Sequence, residues 1–156
     1  MSKSLKRVKA ALQAAGIDIE ICEMPAETRT ARQAADAAGC AVDQILKSIV
    51  FHGRNSNAAI LFMTAGGNQV DAEKASALAG EPLGKADAAL IRDLTGFAIG
   101  GVAPLGHITP IRAFLDPRLL HFPRIWAAAG TPRHIFSIEP GVLQKISGAQ
   151  IADFIS

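Results

Sequence analysis

Apolar and polar positions along this chain follow two periods, and the places where one gives way to the other mark out its elements. Leu5, Val8 and Leu12 recur at helical spacing behind Ser4, a candidate N-cap, with Gly16 as the stop. Ile17, Ile19 and Ile21 then alternate with Asp18 and Glu20, the period of a half-buried strand. A loop from Met24 to Arg29 leads to Thr30 and Gln33, whose spacing is that of a capping box, and predicts a short alanine-rich helix ending near Gly39. Val42 to Phe51 and Ala58 to Ala65 are apolar runs separated by Gly53-Arg54-Asn55-Ser56-Asn57, which predicts an antiparallel hairpin of buried strands. Asp71 and Asp87 cap two further helices, ended by Gly80 and Gly96, with a break at Gly80 to Gly84 between them.

Beyond Gly96 the pattern reads as strands. Phe97-Ala98-Ile99 is a short one, Ile111 to Leu115 is an apolar run, and Leu119 to Phe122, Ile125 to Ala129 and His134 to Ile138 read as three more strands. Pro140 suits the first turn of a helix reaching Ile146, and Ile151 to Ile155 reads as a closing strand. The strands cluster as hairpins instead of alternating with helices, so a doubly wound parallel sheet is not expected. The expectation is an α+β domain over residues 1–156, with one mixed, curled sheet and helices packed around it.

Composition narrows the partners. Hydrophobic residues make up 49% of the 156 and charged residues 19%, which fits an ordered core. A net charge of +2 gives no broad electrostatic footprint for DNA. With no tyrosine and one tryptophan, Trp126, a stacking platform for single strands is not expected either. No apolar run approaches the roughly 20 residues of a membrane span, and the basic N-terminus lacks the apolar region of a signal peptide. Cys22 and Cys40 are isolated, which reads as two reduced thiols in a cytoplasmic protein, serving packing.

Candidate chemistry gathers at two glycine–proline segments and one lysine. Gly100-Gly101-Val102-Ala103-Pro104-Leu105-Gly106-His107 holds three glycines and a proline, a stiff loop whose N–H groups are unshielded by side chains. Such a loop is either a tight turn or a donor set for an anion or developing oxyanion. Lys47 begins an apolar strand, so it sits at the strand's exposed end or points into a polar cavity, where it could bind phosphate as a point charge. Gly130-Thr131-Pro132-Arg133-His134 follows three alanines, and His134 starts a strand; the alanines leave room for a ligand but equally suit tight packing. No spacing of histidines, cysteines or carboxylates supports a metal, and neither a nucleophile elbow nor a P-loop is present, so no cofactor is expected.

Read in order, these segments resemble the YbaK/EbsC-type aminoacyl-tRNA deacylases, free-standing relatives of the editing domain of bacterial prolyl-tRNA synthetases. The resemblance rests on Thr30 to Ala35, on Gln44 to Phe51 with its lysine, on Gly67 to Asp71, on the G-x-x-x-P loop from Gly100 to Pro104, and on Gly130 to His134. It implies a mixed, partly barrel-like sheet and hydrolysis of the ester joining a wrong amino acid to the terminal adenosine of a tRNA, without a cofactor or a protein nucleophile. It also implies roles. Lys47 would bind phosphate, and the backbones of Gly100, Gly101 and Val102 would stabilise the carbonyl oxygen. Thr30, Ser48, Pro104, Gly106, His107, Gly130 and His134 would border the substrate. Small residues at Ser48, Gly100, Gly101 and Ala127 to Gly130 lead us to expect selection for alanine, serine, threonine or cysteine. The partner would be the acceptor end of aminoacyl-tRNA, together with a synthetase. The other reading is a non-catalytic module that binds aminoacyl-tRNA or a nucleotide in association with a synthetase.

Overall fold

Capping residues set most of the helices where the pattern expects them. The fold, a computed structural model, describes residues 2–28 and 30–156; the Arg29 end of the expected loop lies outside the described residues. Helix α1 (Lys3–Ala14) is followed by β1 (Ile21–Glu23) and α2 (Ala31–Ala38). Thr30 Oγ1 accepts from Gln33 N–H at 3.1 Å to open α2. A 3₁₀ turn at Val42–Gln44 leads into β2 (Leu46–Gly53) and β3 (Ala59–Ala65), which form the expected antiparallel hairpin. Asp71 and Asp87 cap α3 (Ala72–Ala79) and α4 (Ala88–Thr95), with the short β4 (Leu83–Lys85) between them. Then come β5 (Arg112–Leu115), β6 (Ile125–Ala128), β7 (His134–Ile138), α5 (Pro140–Ser147) and β8 (Gln150–Ile151).

The strands form two sheets where one curled sheet was expected. One is antiparallel, in the order β1-β7-β6; the other is mixed, in the order β4-β2-β3-β5-β8, with β3–β5 and β5–β8 parallel. They meet at the bridge between Ile45 and Trp126, and neither closes on itself, so the barrel-like curl is not formed. Strand β3 is buried at every position because its sheet is covered on both faces. Leu61, Met63 and Ala65 join the main core with α1, Phe97 and Phe136. On the other side Phe62 packs against Phe51, Phe114 and Phe154, with ring centroids 5.0–5.6 Å apart, beneath Ala75 and Ala79 of α3.

Several expected boundaries move. Ser2 caps α1 in place of Ser4, its Oγ accepting from Leu5 N–H at 3.1 Å. Residues 17–20 are not strand, because β7 pairs only with Ile21 to Glu23; Ile17 and Ile19 still pack on the core. Phe97 to Ile99 is not strand either. The Thr95 hydroxyl caps the end of α4 by accepting from Phe97 N–H at 3.0 Å, Phe97 turns wholly inward, and Ile99 is left 62% exposed. Leu119 to Phe122 is mostly a 3₁₀ turn (Pro117–His121), capped by Asp116. The closing strand shrinks to Gln150–Ile151, after which Phe154 enters the core and Ile155 bridges to Val70.

Candidate active site

The cleft lies where the two sheets diverge beside α2. Register in the small sheet fixes one wall. Ala127 pairs with Phe136 and Ile125 with Ile138 on the face turned to the main core. Trp126 opposite Ser137, and Ala128 opposite Ile135, therefore stand on the other face, toward α2. Ala31 and Ala34 of α2, the start of β2 and the turn at Ile99 to Val102 complete a cavity of about 630 Å³, with Thr28, Arg32 and Thr131 also contributing.

Lys47 and Ser48 stand on the β2 side of this cleft. Lys47 is half-buried, and its Nζ donates to the Asn68 carbonyl at 2.6 Å. Burial pushes its pKa below the usual lysine value, and the carboxylates of Asp43 and Asp116 pull it back up. Asp116 is buried and fully used: Oδ2 accepts from Ala65 N–H at 3.0 Å and from Asn68 Nδ2 at 2.9 Å, Oδ1 from Arg118 N–H at 2.9 Å. Asp43 Oδ1 accepts from Gly67 N–H at 2.8 Å while Oδ2 pairs with Arg118 Nε at 3.1 Å. The turn whose Asn68 carbonyl accepts from Lys47 is thus fastened by two carboxylates, Asp116 at the Asn68 side-chain amide and Asp43 at the Gly67 N–H. Ser48 Oγ is shut off from solvent and has no hydrogen-bond partner among the described residues.

The glycine octet is shared between two places. Gly100, at φ +86°, and Val102 line the cleft. Gly101 N–H donates to the Ala98 carbonyl at 3.0 Å, and a Cβ there would sit 2.8 Å from Thr131 Cα, so Gly101 joins the two glycine–proline turns. The N–H groups of Gly100 and Val102 have no partner among the described residues. Pro104, Gly106 and His107 line a separate hollow of about 440 Å³ with Ile108, Ile111 and Ile146. His107 Nε2 lies 2.8 Å from the Ala103 carbonyl, and its ring stands edge-on to Phe97. Burial pushes the His107 pKa down, the Ala103 bond opposes this, and the Arg7 charge adds to it.

The second turn lies behind the cleft wall. Gly130, at φ +97°, packs its α-carbon against the Ser4 carbonyl and Phe97 and is buried. His134 shares its strand face with Phe136 and Ile138, and its Nδ1 lies 2.6 Å from the Thr131 hydroxyl, which faces the cleft. Of the residues singled out from the sequence, Thr30, Lys47, Ser48, Gly100 and Val102 line one cavity together; Gly101, Gly130 and His134 stand directly behind it, and Pro104, Gly106 and His107 line the other hollow. Arg32, Asp43, Asn68, Asp116 and Trp126 were not singled out as site residues. A polar residue just past an apolar strand, as at Asn68 and Asp116, was the available signal for two of them. Cys22 and Cys40 are both free thiols, half-buried, and burial raises the Cys40 pKa. Among the described residues no three His, Cys, Asp or Glu side chains gather as a metal site, and no helix is long and apolar enough to cross a membrane.

Comparison with known proteins matches this arrangement to others. The chain is 48% identical to a crystallised candidate trans-editing enzyme for prolyl-tRNA synthetase, with a TM-score of 0.93 over 100% of this chain and 99% of that one. The crystal structure of hypothetical protein APE2540 superposes with a TM-score of 0.89 at 25% identity, covering 96% of this chain and 99% of the other. The uncharacterized protein YwhH of Bacillus subtilis (strain 168) is 26% identical over 148 residues, 95% of this chain and 94% of its own length. The model of the aminoacyl-tRNA editing domain matches residues 25–146, from the loop before α2 to the end of α5, and the chain belongs to that family.

Proposed function

We propose that the chain acts, as one unit over residues 1–156, as a trans-editing hydrolase that deacylates mischarged aminoacyl-tRNA carrying a small amino acid. The observation that carries this reading is that one cleft is lined by Lys47 and by Gly100 and Val102, whose N–H groups have no partner among the described residues. A phosphate of the tRNA acceptor end binds Lys47. The ester carbonyl oxygen lies against the two N–H groups, which gain strength as that oxygen becomes negative; such a donor is worth about 3–4 kcal/mol of barrier. Water adds to the carbonyl carbon, the bond to the ribose oxygen breaks, and that oxygen leaves with a proton. An aminoacyl ester is already activated, so positioning and charge stabilisation suffice without a protein nucleophile.

The other residues act around this centre. Gly101 fixes the turn, since its N–H is engaged by Ala98. Pro104, Gly106 and His107 hold the same loop from behind, and Gly130 and His134 hold Thr131 in the wall. Thr30 and Ser48 border the substrate, and Ala127 and Ala128 leave room for a short side chain. A net charge of +2 favours contact with the acceptor end over the tRNA body. Work of this kind belongs beside a synthetase in the cytoplasm, and the likeness to a candidate trans-editing enzyme for prolyl-tRNA synthetase supports that partner.

The test is deacylation of tRNAs charged with alanine, serine, threonine, cysteine, proline, leucine and phenylalanine. Rates should be highest within the first four and negligible for the last two, with overlap inside the first group because one methylene is worth only about 1–3 kcal/mol. Binding of charged tRNA without turnover would replace the hydrolase by a binding module. Preferred release of leucine would overturn the small-residue pocket.

A further inference from the structure

Trp126 is the one tryptophan of the chain, it is half-buried, and it stands in the cleft wall. One flank of the indole packs on Ala34, Ala35 and Ile45; its N–H has no hydrogen-bond partner among the described residues. Beside it on the same strand face is Ala128, a small side chain that also lines the cavity. A large aromatic surface kept partly exposed inside a cavity is costly unless something flat covers it.

The place of Lys47 in the same cavity says what that something is. Trp126 bridges directly to Ile45, and Lys47 is two residues farther along the same chain segment. Two strand positions offset Lys47 from the residue paired with Trp126 by about 7 Å along the backbone. That is the scale of a single nucleotide, base at one end and 5′-phosphate at the other. Arg32, exposed on the first turn of α2 at the rim of the same cavity, adds positive charge on the side where a phosphodiester would enter.

We infer that the Trp126 indole is the stacking surface for the terminal purine base of the substrate, with Lys47 taking the phosphate of that same nucleotide. This rests on the proposed function for the role of Lys47 and adds a base-recognition residue to it. One aromatic is enough because one base is bound, which reconciles a nucleic acid ligand with the near absence of aromatic side chains outside the core. Stacking tolerates different bases but is strongest for the larger ring system.

Since Trp126 is the single tryptophan and tyrosine is absent, its emission reports the site directly. The experiment titrates the whole protein with AMP, CMP, adenosine and ribose 5-phosphate, following fluorescence and, in parallel, heat. AMP should bind and quench, CMP should bind more weakly, adenosine should quench with reduced affinity, and ribose 5-phosphate should leave the emission unchanged. Lys47→Ala should weaken AMP but not adenosine. Trp126→Leu keeps apolar volume for the Ala34–Ile45 cluster and should raise KM for charged tRNA about tenfold, the loss of one stacked base, with little change in kcat; Trp126→Phe should recover part of the loss. AMP binding that leaves the emission unchanged, or equal affinities for AMP and ribose 5-phosphate, would overturn the assignment even in an active deacylase. Quenching by AMP in a protein with no deacylase activity would keep the base site and reject the proposed reaction.

Discussion

The two ends of the octet from Gly100 to His107 are built of similar residues and face different things. Gly100 and Val102 line the cleft, and their N–H groups have no partner among the described residues. Gly106 sits with its α-carbon against the backbone of α1, 3.2 Å from the Arg7 carbonyl by the measure of an added Cβ, and His107 is clamped between Ala103 and Phe97. Both glycines have φ near +80°, so conformation alone does not distinguish them. What differs is the other side of the backbone: a Cβ on Gly100 would meet nothing within 4 Å, whereas one on Gly106 would press on a helix. At Gly100 the open side borders the cleft, and at Gly106 the missing side chain permits close packing on α1.

The largest effect is expected at Gly101, where the loop meets the second glycine–proline turn. Gly101→Val would drive a branched side chain into the Thr131 backbone and shift the two N–H groups next to it. Deacylation per folded molecule should fall about 100-fold, the scale of a lost oxyanion donor, while a single cooperative melt is retained. Wild-type activity in that variant would remove the turn from the reaction.

Next in size is Gly106→Ala, which should separate stability from turnover. Strain at φ +80° together with contact on Arg7 and Val8 should cost about 2 kcal/mol, a Tm lower by about 6 °C, with kcat unchanged below the melt. A fall in kcat matching the fall in stability would mean that both ends of the loop serve the cleft.

The smallest effect concerns His107. Burial depresses its pKa in the folded protein, so the unfolded chain takes up the proton first as pH drops. Stability from keeping this ring neutral is therefore intact above the ordinary histidine value of about 6.5 and declines as pH falls through it toward the depressed folded value. His107→Gln can keep the bond to Ala103 without a titrating ring, and its Tm should fall less between pH 7.5 and 5 than that of the parent. Parallel melting curves for the two proteins would exclude His107 as a source of acid sensitivity.

How much of this was legible beforehand divides along the same line between local and long-range causes. Thr30, Asp71 and Asp87 mark helix starts through bonds to N–H groups two or three residues away, and a sequence displays such spacings directly. The β2–β3 hairpin is local too. Residues 17–20 and Phe97 to Ile99 have the apolar content of strands, yet a strand exists only where a partner lies in register. Their failure to pair is decided by β7 and by the Thr95 cap. Within the site, Lys47 and the glycines could be picked out by residue type. Trp126 and Arg32 could not, because their place in the cleft depends on a bridge to Ile45 from about 80 residues away and on which side α2 falls. Asp116 belongs with them: its carboxylate accepts from the side-chain amide of Asn68, the residue whose backbone carbonyl accepts from Lys47.

The parallel ladder from β3 through β5 to β8 has a consequence for the order of events during synthesis. The apolar strand β3 is made by residue 65, but its second neighbour, residues 112–115, emerges some fifty residues later, and the last strand and the Phe154 ring that closes over Phe62 come later still. Until then the nascent chain carries a hydrophobic strand with an unpaired edge, the kind of surface that recruits other chains. Consolidation of this sheet therefore waits for residues 112–154, and the interval before they are made, more than the finished fold, is when the molecule is most exposed to aggregation.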